Sequence, residues 1–114
     1  MIIDCHGHYT TTPPAVEAYR SQQKDLLKSN PDHLISKGDI SLSDDEIRDT
    51  IINNQLKLQQ ERGTDLTIFS PRASWMGHHI GNASTSKAWT EQQNDLIKRV
   101  CSLFPDNFAP VCQL

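Results

Sequence analysis

Arg62-Gly63-Thr64-Asp65-Leu66-Thr67-Ile68-Phe69-Ser70-Pro71-Arg72 is the stretch on which the fold turns. Gly63 supplies a left-handed helix stop, and Leu66 to Phe69 is a short β-prone run directly behind it. Upstream, Ser43 and Glu46 form Ser-x-x-Glu, in which hydroxyl and carboxylate satisfy opposite free amides at a helix start. Ile47, Ile51, Ile52, Leu56 and Leu58 recur at roughly helical spacing, so a helix is predicted over 44–62, with Arg62 in its last turn where the dipole favours a cation. Asp44, Asp45, Glu46 and Asp49 crowd the first turn. The same dipole explains them without a metal.

Working back to the start, Ile2 and Ile3 open an apolar run that reads as a buried strand, giving way to Asp4, Cys5, His6, Gly7 and His8. The two strands are separated by at least one clear helix, the signature of a parallel pair joined by a crossover. Their carboxyl ends therefore share one rim. Between them, Pro13 and Pro14 suit a first helical turn, and a well-solvated surface helix with Val16, Tyr19, Leu26 and Leu27 is expected to about Lys28. Asn30 to Leu42 reads as a loop, with His33 an exposed loop histidine.

Working forward, Ser86 is the expected cap of a third helix whose Trp89, Leu96, Ile97, Val100 and Leu103 form a core stripe. Cys101 beside them reads as a small buried hydrophobe. A third strand is expected over Val111 to Leu114, beginning after Pro110, which a central strand would not tolerate. The order strand, helix, helix, strand, helix, strand defines an α/β chain, residues 1–114 forming one domain. Three parallel strands cannot close a (β/α)8 barrel, which needs about 250 residues, so the pattern reads as the N-terminal part of such a fold, incomplete in this chain.

Composition narrows the function. The net charge of −3 and 22% charged residues give no basic face for nucleic acid, and the apolar runs are too short to span a membrane. Cys5, Cys101 and Cys112 are odd in number and irregularly spaced, which favours a reducing cytoplasm. A homo-oligomer is compatible with these features.

Two stretches carry chemistry. Residues two apart in extended chain point the same way, so His6 and His8 can present their imidazoles into one space roughly 7 Å apart at the backbone, a spacing that suits one divalent metal. The alternative is a pair of polar loop histidines. On the same rim, Ser70, Pro71, Arg72 and Ser74 follow the second strand, where reactive groups collect in parallel α/β folds. A guanidinium there would grip a carboxylate in two-pronged fashion and favour a small acidic substrate. The alternative is a surface arginine paired with a neighbouring acid. Trp75 to Gly81 reads as a loop that covers the substrate, and the adjacent His78 and His79 would point to opposite sides, so that at most one faces the site.

Ile2-Ile3-Asp4-Cys5-His6-Gly7-His8 is similar to the first-strand metal motif of the amidohydrolase superfamily, especially its branch of metal-dependent decarboxylases and hydratases. Glu61 to Ser74, Gly77-His78-His79-Ile80-Gly81 and Leu103 to Phe108 resemble, within that branch, the hydratases of 4-oxalomesaconate type from bacterial aromatic-acid catabolism. The resemblance covers the whole chain but only the first third of such an enzyme. It implies a TIM-type barrel and a zinc-dependent lyase that adds water to an unsaturated oxo-tricarboxylic acid. His6 and His8 would be two ligands to Zn2+ or another divalent ion, and Arg72, Ser74, His78 and His79 would contact substrate. The remaining ligands and the general acid and base would come from later strands, so this chain holds no assignable catalytic residue. A sister decarboxylase or hydrolase of the same superfamily is the alternative enzyme reading, and a non-catalytic truncated product is the alternative outside enzymes.

Overall fold

The computed structural model describes residues 1–114, the side chain of Met76 excepted. Three parallel strands, β1 (Ile3–Gly7), β2 (Leu66–Phe69) and β3 (Phe108–Pro110), form one sheet in the order β1-β2-β3. The crossover from β1 to β2 carries α1 (Pro14–Ser29), α2 (Asp44–Ile51), a π-helical turn (Ile52–Leu56) and α3 (Lys57–Glu61). That from β2 to β3 carries α4 (Ala73–Met76) and α5 (Ala83–Leu103).

The helices pack on one face of the sheet. Tyr9, Phe69 and Phe108 meet Val16, Ile47, Ile51, Trp75, Leu96, Ile97, Val100 and Cys101 in the main core. The rings of Phe69 and Phe108 lie 5.0 Å apart, and those of Tyr9 and Phe69 5.7 Å, the spacing at which aromatic pairs add to plain burial. A smaller cluster of Leu27, Ile35, Ala88 and Trp89 anchors the 30–42 loop, which forms neither helix nor strand, as expected. The capping box at Ser43 is present with both of its hydrogen bonds, and Gly63 adopts the left-handed conformation (φ 66°) that ends α3. Among the described residues no helix is long and apolar enough to cross a membrane.

Several expectations are corrected. Ile2 and Ile3 are not buried but 59% and 51% exposed, because β1 has a neighbour on one edge only and no helix covers the opposite face of the sheet. The helix expected over 44–62 widens into the π turn at Ile52. The third helix begins at Ala83, not Ser86: Asn82 accepts from the amides of Ser84 and Thr85 at 3.0 and 3.3 Å, and so caps it earlier. The third strand is Phe108–Pro110 and not Val111–Leu114. The Asn107 carbonyl and the Val111 amide both bond to β2, so Pro110, one residue out of that phase, directs its missing N–H to the open edge. α1 is less of a surface helix than its polarity suggests, since Arg20 is buried along with Val16 and Leu27.

Candidate metal centre at the end of the first strand

The register of β1 on β2 shifts between Asp4 and Gly7: Asp4 stands opposite Thr67 and Gly7 opposite Phe69, so three residues of β1 advance against two of β2. This is a bulge, and Asp4 secures it, its Oδ1 accepting from the His6 amide at 3.0 Å. After the bulge Gly7 and Tyr9 are buried, whereas His6 is exposed and His8 half-buried. Both imidazoles thereby fall on the side away from the core. Their centroids are 5.5 Å apart with the planes at 89°. Gly7 has to lack a side chain, since a Cβ there would collide with Thr67 Cγ2.

His8 presents one uncommitted ring nitrogen. Its Nδ1 lies 2.9 Å from the Tyr9 carbonyl, and a carbonyl only accepts, so Nδ1 carries the proton and Nε2 keeps its lone pair. The backbone around the pair is held by β2: the Ser70 amide and Oγ both donate to the Gly7 carbonyl, at 2.8 and 3.2 Å. A cleft of about 180 Å³ beside the pair is lined by Asp4, Gln55, Gln59, Arg62 and Thr67 along with the histidines. Among the described residues no third histidine, cysteine, aspartate or glutamate joins them within metal-binding reach. The chain thus fits a metal with two ligands, where a catalytic zinc takes three from protein.

Arg72 is half-buried at the N-cap of α4, its carbonyl accepting from the Trp75 amide, and among the described residues no carboxylate pairs with its guanidinium. Ser74 is exposed in α4, and its carbonyl accepts from Arg20 Nη2 at 2.9 Å. His78 is exposed and hydrogen-bonds through Nδ1 to Ser86 Oγ on α5, and His79 is exposed beside it. None of these four lines the cleft next to His6 and His8. The covering loop expected over Trp75 to Gly81 is drawn into the core at its first residue, Trp75 being 3% exposed, and is closed by left-handed glycines at 77 and 81.

Sequence reasoning passed over three residues. Arg20 sits over the Trp89 ring at 5.0 Å, and burial, opposed by Glu17 and reinforced by Arg72, lowers its pKa from the usual arginine value. Its only local signal was a cation on the apolar side of α1. Gln55 and Asn54 in the π turn meet Thr10 and Thr11, through Thr10 Oγ1 to Gln55 Oε1 at 2.6 Å and Thr11 Oγ1 to Asn54 Oδ1 at 3.3 Å. No local signal marks them, since only the fold brings residues 45 and 43 apart together.

Fold and site together define an α/β chain of parallel strands with a histidine pair at the end of its first strand. The chain is 52% identical over all 114 residues to a Sphingobium sp. (strain NBRC 103272 / SYK-6) protein named 2-keto-4-carboxy-3-hexenedioate hydratase, covering 33% of that protein. It is also similar to the crystal structure of 4-oxalomesaconate hydratase from Rhodopseudomonas palustris, with a TM-score of 0.84 and 47% identity, covering 100% of this chain and 33% of that one. The chain therefore spans a third of the length of these relatives, both hydratases. No family profile matches it.

Proposed function

We propose that these residues form the first part of a metal-dependent hydratase of the amidohydrolase superfamily, acting on an unsaturated oxo-tricarboxylic acid of 4-oxalomesaconate type. The observation that carries the reading is the outward-facing His6 and His8 pair in a chain half identical, along its whole length, to named hydratases. The parallel sheet, covered by helices on one face, supports a place in the wall of a TIM-type barrel whose interior would lie on the bare face.

In this reading His6 and His8 hold Zn2+ or another divalent ion, with further ligands from outside these residues. Such an ion, when bound, polarises a substrate oxygen or lowers the pKa of a water toward neutrality. His8 contributes Nε2, its other nitrogen being committed to the Tyr9 carbonyl. Arg72 grips a substrate carboxylate with its guanidinium, for which no internal acid competes among the described residues. Ser74 and His79 are exposed on the segment that follows Arg72 and complete the substrate-binding set. His78 contributes least, because its ring is engaged by Ser86. The group that moves the proton at carbon comes from outside this chain.

A chimera tests the assignment: residues 1–114 replace the corresponding third of the Rhodopseudomonas enzyme, and 4-oxalomesaconate turnover is followed by loss of absorbance of the unsaturated oxo acid. The expected result is hydration without carbon dioxide release, abolished by His6→Ala with His8→Ala. Release of carbon dioxide would assign the chain to a decarboxylase instead, and full activity in the double variant would remove the metal role of the pair.

A further inference from the structure

The π turn at Ile52–Leu56 interrupts an otherwise continuous helix and fully buries none of its five residues; Leu56 alone packs, half-buried, against the main core. Asn53 Nδ2 and Asn54 Nδ2 each donate at 2.8 Å to the carbonyl four residues back, on Asp49 and Thr50. What the turn does reach is the loop that leaves β1: two consecutive residues, Asn54 and Gln55, take the hydroxyls of two consecutive residues, Thr11 and Thr10. Thr10 is two residues from His8 and one from Tyr9, whose carbonyl fixes the His8 tautomer. Gln55 also lines the cleft beside the histidines.

We infer that Gln55, presented by the π turn, is a positioning residue for His8: by holding Thr10 it fixes the Tyr9 carbonyl and with it the nitrogen that His8 offers to a ligand. The inference rests on the proposed metal site, but its mechanical part stands apart from metal. π turns interrupting α-helices are frequent at functional sites, and this one gives such a turn a specific task.

The test uses the chain with ¹⁵N-labelled histidine, free of metal, in buffer of about pH 8.5 so that imidazole is neutral. Long-range proton–nitrogen NMR reads the His8 tautomer, and calorimetry reads zinc affinity, in the parent and in Gln55→Leu, Thr10→Val and Gln55→Glu. The parent and Gln55→Glu, which keeps the acceptor, are expected to show His8 with the proton on Nδ1. Gln55→Leu and Thr10→Val are expected to show a mixture of tautomers and about fivefold weaker zinc binding, the effect of one ordinary hydrogen bond. Circular dichroism establishes that the variants fold, and if Gln55→Leu does not, Thr10→Val carries the test. An unchanged His8 tautomer in the folded variants overturns the inference. Absence of zinc binding by the parent, with the tautomer still responding to Gln55→Leu, would instead strike at the metal reading and leave the positioning intact.

Discussion

The two faces of the sheet differ as sharply as any two parts of the molecule. On one face Phe69 and Phe108 are buried against α2 and α5; on the other Ile3, Cys5 and Val111 are exposed. The closed face holds the fold together. The open face carries His6, and the bulge in β1 is what moves His6 and His8 to it while sending Tyr9 into the core. The difference teaches that the core and the candidate site are here divided by the side of one strand, with Gly7 as the crossing point.

The contrast can be broken most directly at Phe69. Phe69→Ala should cost about 3–5 kcal/mol and leave the chain largely unfolded by circular dichroism, whereas Ile3→Ser on the bare face should stay within about 0.5 kcal/mol. Comparable losses at the two positions in thermal melts would mean that the open face is covered in solution. Next in size is Gly7→Ala. The added methyl meets Thr67 and should cost about 1–3 kcal/mol. Its melting temperature should fall and zinc binding weaken together, and a variant with normal stability and normal affinity would show the crossing point to be tolerant.

Alkali sharpens the comparison from the buried side. Burial pushes the Cys101 thiol up to about 11 from its ordinary 9.0, and burial likewise raises the Tyr9 phenol, against a smaller opposing effect of Arg99. Because the unfolded chain releases these protons first, stability is full below pH 9 and falls as pH rises from 9 toward 11. Thiol labelling gives the same contrast as rates: Cys5 and Cys112 are exposed and should react promptly, while Cys101 should wait for denaturant. A flat stability profile from pH 9 to 11, or three thiols of equal rate, would contradict the burial of Cys101. The smallest effect is expected at Asn82, where Asn82→Ala removes the cap of α5 for about 1 kcal/mol. If Ser86→Ala lowers the melting temperature more than Asn82→Ala does, the helix start has been misplaced.

How far the sequence foretold all this depends on the range of the interactions involved. The capping box of Ser43 and Glu46, the stop at Gly63, the strand Leu66–Phe69 and the burial of Cys101 were legible, because each follows from neighbours within a turn or from a simple apolar stripe. The π turn was not, since Ile52 and Leu56 fit a regular helix as well and only the backbone hydrogen bonds reveal the wider turn. Burial of Arg20 requires Trp89, brought up from 69 positions away. The bareness of Ile3 depends on what lies across the sheet, which the pattern of β1 cannot express. Of the candidate site, the pairing of His6 with His8 was readable from a two-residue spacing. Which face they share was not, for the alternation that runs from Ile3 is broken at the bulge between Asp4 and Gly7.

The double hydrogen bond from Ser70 to the Gly7 carbonyl ties two pieces of the rim into one lever. Gly7 lies between the two histidines, and Ser70 lies two residues before Arg72. The Gly7 carbonyl is therefore the point at which the segment bearing Arg72 is hydrogen-bonded to the segment bearing the imidazoles. Thermodynamic reciprocity requires the converse: if an anion at Arg72 tightens the hold of His6 and His8 on a metal, the metal tightens the hold of Arg72 on the anion by the same factor.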